Sequence, residues 1–307
     1  MERITADLLS PKLLSRAPET SKRDYGHLLI VAGCDNMPGA ASLATSAALR
    51  SGCGLVTLHS SVSASGVSAV TNPSAILDMD SSSCFSELPE DMSRYNAVAA
   101  GPGLGRDKQS GRAFAGLLEY IVRRGIPHVL DADALYFLSS MDTAAIAGVP
   151  NSGGPIAGYT AARGVLTPHD GELRRLCEGW KIPEGSPNLW NEAVEGRDEA
   201  ARAICRITGY VVVAKGYHSK VFCPDGSEYE NTTGNPGMAK GGSGDVLTGL
   251  VGGLMARGYS PEDAAVLGVW IHGYAGDCCT REFGMEAYDS SCLVDCIYKG
   301  FKKLEEL

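Results

Sequence analysis

His27-Leu28-Leu29-Ile30-Val31-Ala32, closed by Gly33, is apolar without a break from Leu28 onward. A strand with one wet face alternates apolar and polar residues, so an unbroken run points to a strand covered on both faces, as in a parallel sheet between helical layers. Gly54–Leu58, Ala97–Ala100, His128–Leu130, Gly164–Leu166 and Tyr210–Ala214 repeat the pattern. Between these runs, Ala40–Arg50, Asp107–Arg124, Leu135–Ala147, Gly171–Glu178 and Asn191–Thr208 read as helices. Strand and helix in alternation predict an α/β fold: a three-layer sandwich with a mainly parallel central sheet flanked by helices and joined by right-handed crossovers. After Lys215 a hairpin is expected, Lys220–Cys223 and Glu228–Asn231 around the turn Pro224-Asp225-Gly226. Three helices close the chain. The first follows the glycines at 241–244, the second opens on Ser260, Pro261 and the capping-box acid Asp263, and the third covers Ser290–Leu304. Ser60–Ser68 and Ser81–Ser83 are expected to be loops of small residues, and Asn151–Arg163 a flexible excursion.

The length of 307 residues suits a single α/β domain spanning 1–307. A net charge of -9, with scattered basic residues, argues against nucleic-acid binding, which needs clustered Lys and Arg. An anionic substrate must then be held locally, by backbone N–H groups and a few lysines. The segment Met1 to Pro18 carries Glu2, Arg3, Asp7 and Lys12 among its apolar positions, so it holds no signal-peptide core. Nor does any apolar run approach the roughly 18 residues of a membrane helix, and a cytoplasmic protein is expected. The 10 cysteines include no Cys-x-x-Cys pair and read as free thiols. Cys278, Cys279, Cys292 and Cys296 crowd the C-terminal region as small apolar side chains, and no protein metal ligands are assigned.

The stretch Gly234-Asn235-Pro236-Gly237-Met238-Ala239-Lys240-Gly241-Gly242-Ser243-Gly244-Asp245 runs straight into the apolar helix start Val246-Leu247-Thr248-Gly249-Leu250. Glycines at a helix entry let backbone N–H groups converge where the helix dipole also favours negative charge, an anion hole suited to a phosphoryl group in transfer. Asp245 on the first turn faces the same point. It could act as a general base towards an acceptor hydroxyl, or serve as an ordinary first-turn carboxylate. No Gly-x-x-x-x-Gly-Lys-Ser/Thr occurs, and Gly101-Pro102-Gly103-Leu104-Gly105 lacks the dinucleotide spacing, so P-loop and Rossmann chemistry are set aside.

Taken in order, several blocks resemble the ADP- or ATP-dependent NAD(P)H-hydrate dehydratases, carbohydrate-kinase-like members of the ribokinase superfamily. They are Tyr25 to Gly33, Pro38 to Ala41, Ala47 to Val56, Ala100 to Gly105, Asp131 to Leu135, Leu166 to Leu173, Val213 to Gly216, and Gly234 to Leu247. The resemblance implies a ribokinase-like fold and dehydration of hydrated NADH or NADPH by phosphorylation of a ring hydroxyl and loss of phosphate. It assigns Ala40, Gly103, His169 and Asp245 to the hydrate. Lys215, Gly216, Tyr217, His218, Ser219 and Gly244 fall to the adenine nucleotide, and Gly242, Ser243, Gly244 and Asp245 to catalysis. It further implies Mg2+, ADP rather than ATP as donor, and a homotetramer. Too few residues precede Tyr25 for the epimerase domain found in some relatives, so no epimerase activity is expected.

The chain departs from the family pattern at Cys34-Asp35, where Gly-Ser is frequent, at Asp170, where Pro is frequent, and in a longer Ser139–Arg163 stretch. Some residues stay open on their own. His169 could cap the following helix, Asp131 and Asp133 could hold magnesium through water or cap a helix, Lys240 could face phosphate or solvent, and His272 reads as a core histidine. The rival readings are a kinase of the same superfamily for a thiazole, pyrimidine or sugar alcohol, and a non-catalytic nucleotide sensor.

Overall fold

The computed structural model describes residues 1–146, 164–182 and 194–307. Ten strands form one sheet: β1 Glu2–Ile4, β2 His27–Val31, β3 Leu55–Ser61, β4 Ile76–Asp80, β5 Ala97–Ala100, β6 His128–Leu130, β7 Gly164–Leu166, β8 Val211–Ala214, β9 Lys220–Phe222 and β10 Glu228–Asn231. Their order is β1-β10-β9-β8-β7-β6-β5-β2-β3-β4. From β4 to β8 every pairing is parallel, β8, β9 and β10 pair antiparallel as the expected hairpin, and β1 joins β10 in parallel. The expected strands are present, while β1 and β4 are additional edge strands.

The helices are α1 Ala6–Leu9, α2 Pro38–Leu49, α3 Val62–Thr71, α4 Lys108–Arg124, α5 Asp133–Leu138, α6 Thr143–Ile146, α7 Asp170–Gly179, α8 Val194–Thr208, α9 Ser243–Arg257, α10 Pro261–Ala287 and α11 Ser290–Glu305. Helix α10 breaks at Gly284, where φ is +76°. Successive strand residues enter opposite cores. Leu28, Ile30, Ala97, Ala99, Val129 and Val213 pack with α2, α9, α10 and α11, whereas Leu29, Val31, Val98, Leu130 and Val212 pack with α4, α5, α7 and α8. Burial on both faces is the reason these strands carry no polar alternation. The single helix expected over Leu135–Ala147 is divided into α5 and α6. Ser60–Ser68 proves to be the end of β3 and most of α3, whose N-cap Ser61 accepts from the Ala64 N–H. The expected excursion Asn151–Arg163 lies outside the described residues.

No helix among the described residues is long and apolar enough to cross a membrane. The 10 cysteines are all free thiols.

Candidate active site

The chain runs outward from β2 to β4, then resumes at β5 on the other side of β2. At such a reversal the loops beyond the carboxyl ends of two neighbouring strands diverge and leave a crevice. The loop after β2 leads into α2, which carries Ala40, and the loop after β5 carries Gly103. A Cβ on Gly103 would lie 3.0 Å from the Ala40 Cβ and 2.9 Å from that of Met37, so these two sequence-assigned residues meet there.

Along the same sheet edge, β6 is followed by Asp131, β7 by Thr167-Pro168-His169 and β8 by Lys215. The Lys215 ammonium donates to Asp131 Oδ1 at 2.6 Å and lies 3.7 Å from Glu172 Oε2. The other oxygen of Asp131 accepts from the Thr248 hydroxyl at 2.8 Å. Burial alone would push the Lys215 ammonium down, but the carboxylates of Asp131 and Glu172 outweigh it and hold its pKa above the usual lysine value. Glu172 is pushed up by burial and by Asp131, against the pull of Lys215.

Asp245 stands on the first turn of α9 beside this cluster. Burial, with repulsion from Asp131, Asp133 and Glu172, raises its pKa to about 7, with Lys215 opposing. Gly242 precedes it at φ +91°, a conformation suited to glycine, and provides no side-chain cap. A capping side chain would occupy the first-turn N–H groups of α9, so its absence leaves the Gly244 and Asp245 N–H groups open to an anion, while the Ser243 N–H donates to the Lys240 carbonyl at 3.4 Å. The Ser243 hydroxyl points back to Met238, donating to its carbonyl at 2.7 Å, so this side chain is engaged within the turn.

The turn is held from behind. Asp277 accepts from the Gly234 N–H at 3.0 Å and from Asn235 Nδ2 at 2.9 Å, and Ser290 donates to the Gly241 carbonyl at 2.7 Å. Lys240 faces neither phosphate nor open solvent, the two options its sequence left: its ammonium donates to the carbonyls of Met285, Glu286 and Tyr288. Those carbonyls cluster near the end of α10, where a cation is favoured.

Beside the turn a cavity of about 380 Å³ is lined by Lys215, Gly216, Tyr217, His218 and Ser219 on one side and by Ser243, Gly244 and His272 on another. All five residues of the expected nucleotide loop thus border one space together with Gly244. Tyr217 is 68% exposed, His218 donates from Nδ1 to the Asn231 carbonyl, and Ser219 donates to the Gly216 carbonyl. His272 is held neutral by burial, its pKa lowered to about 4, and its Nε2 has no partner among the described residues, so it is a cavity-wall histidine rather than a satisfied core one.

His169 is the N-cap of α7, accepting at Nδ1 from the Gly171 and Glu172 N–H groups, while 60% of its side chain stays exposed. Asp131 and Asp133 do not cap: Asp133 accepts from Gly105 N–H and from Arg106 Nε at 2.6 Å. Sequence reasoning overlooked Glu172 and Thr248. Neither was given a role in the sequence, and only the folded arrangement brings them to Lys215 and Asp131.

A family model described as NAD(P)H-hydrate dehydratase matches residues 28–299. The ADP-dependent (S)-NAD(P)H-hydrate dehydratase of Bacillus subtilis is 31% identical over 305 residues, covering 98% of each chain. Its counterpart from Neisseria meningitidis is 34% identical across 89% of this chain and 83% of the relative. A bifunctional NAD(P)H-hydrate repair enzyme from Moorella thermoacetica is 36% identical over 99% of this chain but 54% of its own length, so the chain spans about half of that relative. The crystal structure of the ADP/ATP-dependent NAD(P)H-hydrate dehydratase of Bacillus subtilis, co-crystallised with ATP and Mg2+, superimposes with a TM-score of 0.81 over 99% of both chains at 29% identity. A hydroxyethylthiazole kinase from Pyrococcus horikoshii, at a TM-score of 0.58 and 17% identity, shares the fold alone. With its strand order, its glycine turn and its aspartate in place, the chain belongs to the NAD(P)H-hydrate dehydratase family.

Proposed function

We propose that this chain, as a single domain, removes water from hydrated NADH and NADPH with ADP, and secondarily ATP, as phosphoryl donor. The observation that carries the reading is Asp245: a carboxyl group raised to about 7, beside open helix-start N–H groups and the cavity of the nucleotide loop. A base with a pKa near the working pH combines a useful ionised fraction with real proton affinity.

Asp245 takes the proton of the hydroxyl on C6 of the reduced nicotinamide ring as that oxygen attacks the terminal phosphoryl group of the donor, whose bond to the bridging oxygen breaks to release AMP from ADP, or ADP from ATP. The backbone N–H groups of Gly241 to Gly244 stabilise the charge in transfer. The C6–O bond now leads to phosphate, a far better leaving group than hydroxide. The ring nitrogen lone pair expels phosphate, and loss of the C5 proton restores the dihydropyridine. Ala40 and Gly103 wall the hydrate, with the exposed ring of His169 contributing, while Lys215 to Ser219 hold the nucleotide.

The donor set suits magnesium. Carboxyl groups of Asp131, Asp133 and Glu172 gather around Asp245, with Lys215 among them, and an oxygen-rich, negatively charged cluster matches a hard divalent cation. Asp131, Asp133 and Glu172 would hold the ion through its water shell, and it would screen phosphate charge. A cytoplasmic setting, where thiols persist, suits the free cysteines. Exposed Val62, Val67 and Val70 of α3 and Ile76 and Met79 of edge strand β4 favour self-assembly, and a homotetramer is proposed.

The test is recovery of reduced-nicotinamide absorbance from hydrated NADH with magnesium and, in separate runs, ADP, ATP or neither. Recovery only with nucleotide is expected. An equal rate without nucleotide rules out phosphoryl transfer, and a stable phosphorylated small molecule with no activity on the hydrates points to the kinase reading.

A further inference from the structure

One arginine spans the interval between the two proposed subsites. Arg197, on the first turn of α8, places Nε 2.8 Å from Asp170 Oδ1, and its Nη2 donates to the Lys215 carbonyl. The Nε–H is not aligned on the carboxylate, so the Asp170 contact is an ion pair rather than a hydrogen bond. The arginine side chain is only 16% exposed, whereas that of Asp170 is 60% exposed. A Cβ on Gly216 would come within 2.8 Å of Nη2 and 3.0 Å of Nη1, so the guanidinium lies directly against the nucleotide loop and glycine is what admits it.

The strand ends are already tied, because the Lys215 N–H donates to the Pro168 carbonyl at 2.9 Å. That bond fixes β7 against β8 but not the turns beyond them. Arg197 reaches farther, to Asp170, two residues beyond Pro168, and to the Lys215 carbonyl, on the peptide that enters Gly216. The planar guanidinium holds one directional hydrogen bond, to the Lys215 carbonyl, while its charge faces Asp170, a combination that an ammonium on a flexible stem does not reproduce.

We propose that Arg197 is a positioning residue that couples the two subsites, holding the His169-Asp170 turn and the Lys215-Gly216 turn at a set separation. This rests on the reading of those turns as hydrate and nucleotide subsites. Asp170, where the family pattern favours proline, is the second half of the device. Occupation of the Gly216 side therefore reaches the His169 side through one rigid group, and affinity at each subsite depends on the other.

The experiment measures ADP binding by calorimetry, and kcat and KM for hydrated NADH, in the wild-type chain and in Arg197→Met, Arg197→Lys and Asp170→Asn. Arg197→Met is expected to weaken ADP binding about tenfold, as loss of a charge-assisted hydrogen bond does. It also raises the hydrate KM, with kcat at saturation much less affected. Arg197→Lys restores thermal stability without restoring affinity. Asp170→Asn, at an exposed position that leaves the fold intact, shifts both affinities in the same direction as Arg197→Met, and the double variant costs little more than Arg197→Met alone. A lowered melting temperature with unchanged ADP affinity and KM marks Arg197 as merely structural and overturns the proposal, as does an Asp170→Asn chain with wild-type constants. Absence of ADP binding in the wild-type chain is a different failure, since it removes the nucleotide reading itself.

Discussion

The carboxyl groups of Asp131, Asp133, Glu172 and Asp245 share their surroundings with the Lys215 ammonium, and their balance decides when Asp245 is a base. Asp245→Asn keeps the shape of the side chain but cannot accept a proton, so turnover should fall by about 10²–10⁴-fold with ADP binding retained. Near-normal turnover in a folded Asp245→Asn chain would reduce Asp245 to a first-turn carboxylate and reopen the sensor reading. The wild-type pH profile of kcat/KM should lose activity on the acid side with an apparent pKa near 7, the free-enzyme value. Stability runs the other way. The folded carboxyl, at about 7, binds its proton more tightly than the unfolded one, at 3.8, so the folded state loses stability as pH rises between the two values. Denaturant midpoints between those pH values should therefore fall less steeply with pH in Asp245→Asn than in the wild type. Lys215, assigned from the sequence to the adenine nucleotide alone, also has a structural part. Its ammonium is bonded to Asp131, which is 1% exposed. Lys215→Ala leaves that carboxylate without its cation, a loss of about 3–5 kcal/mol when one partner of a buried pair is removed. Calorimetric melting should show a clear drop beside any weakening of ADP binding, and an unchanged melting temperature would return Lys215 to a purely ligand-facing role.

Helix α9 opens on the proposed anion hole, and its position depends on how closely it lies on α2. A Cβ on Gly249 would come 1.9 Å from the Ala44 carbonyl oxygen, so Gly249→Ala must push the two helices apart. Overpacking of this kind costs about 1–3 kcal/mol or more, and a shift near 1 Å at the N–H groups can cost roughly 10²-fold in rate. A melting scan and kcat at saturation check this together, and a variant at wild-type values in both would show that α9 is not fixed by that contact. Gly249 looks in the sequence like an ordinary glycine inside an apolar helix start. The central strands and α9 were legible because burial on both faces writes itself into runs such as Leu28 to Ala32, and because a glycine turn before an aspartate constrains the backbone locally. Helix α3 was not, since Ser63, Ser65, Gly66 and Ser68 favour no helix on their own and only packing on β3 and α2 orders them. Strand β1 escaped for a related reason: Glu2-Arg3-Ile4 pairs with Tyr229-Glu230-Asn231, a partner far along the chain. Ala40 and Gly103 could be named from their blocks, but their contact with one another arises only from the reversal of strand order.

At the scale of the whole molecule, the proposed subsites occupy different regions of the sheet, the hydrate crevice beside β2 and the nucleotide loop after β8. The exposed apolar face lies nearer the first. Val70 is 83% exposed and Met79 59% exposed, on α3 and the edge strand β4, which pairs on one side with β3, a surface an isolated chain would show to water. Helix α3 in turn braces α2. The Ser42 and Thr71 hydroxyls lie 2.7 Å apart, and Asn72 Nδ2 donates to the Ser42 carbonyl at 3.2 Å, two residues after Ala40. Assembly through this face would therefore steady the crevice without reaching Lys215 to Ser219. Val70→Asp removes an exposed side chain, so the folded monomer should keep its stability within about 0.5 kcal/mol. Light scattering should show the wild-type chain as an oligomer, with a homotetramer expected, and Val70→Asp at a lower mass. In that dissociated variant KM for the hydrate should rise while ADP affinity measured by calorimetry stays put. A monomeric wild type, or a Val70→Asp chain of unchanged mass, would remove this face from assembly. A lower mass with both affinities unchanged would leave the face an interface but sever it from the hydrate crevice.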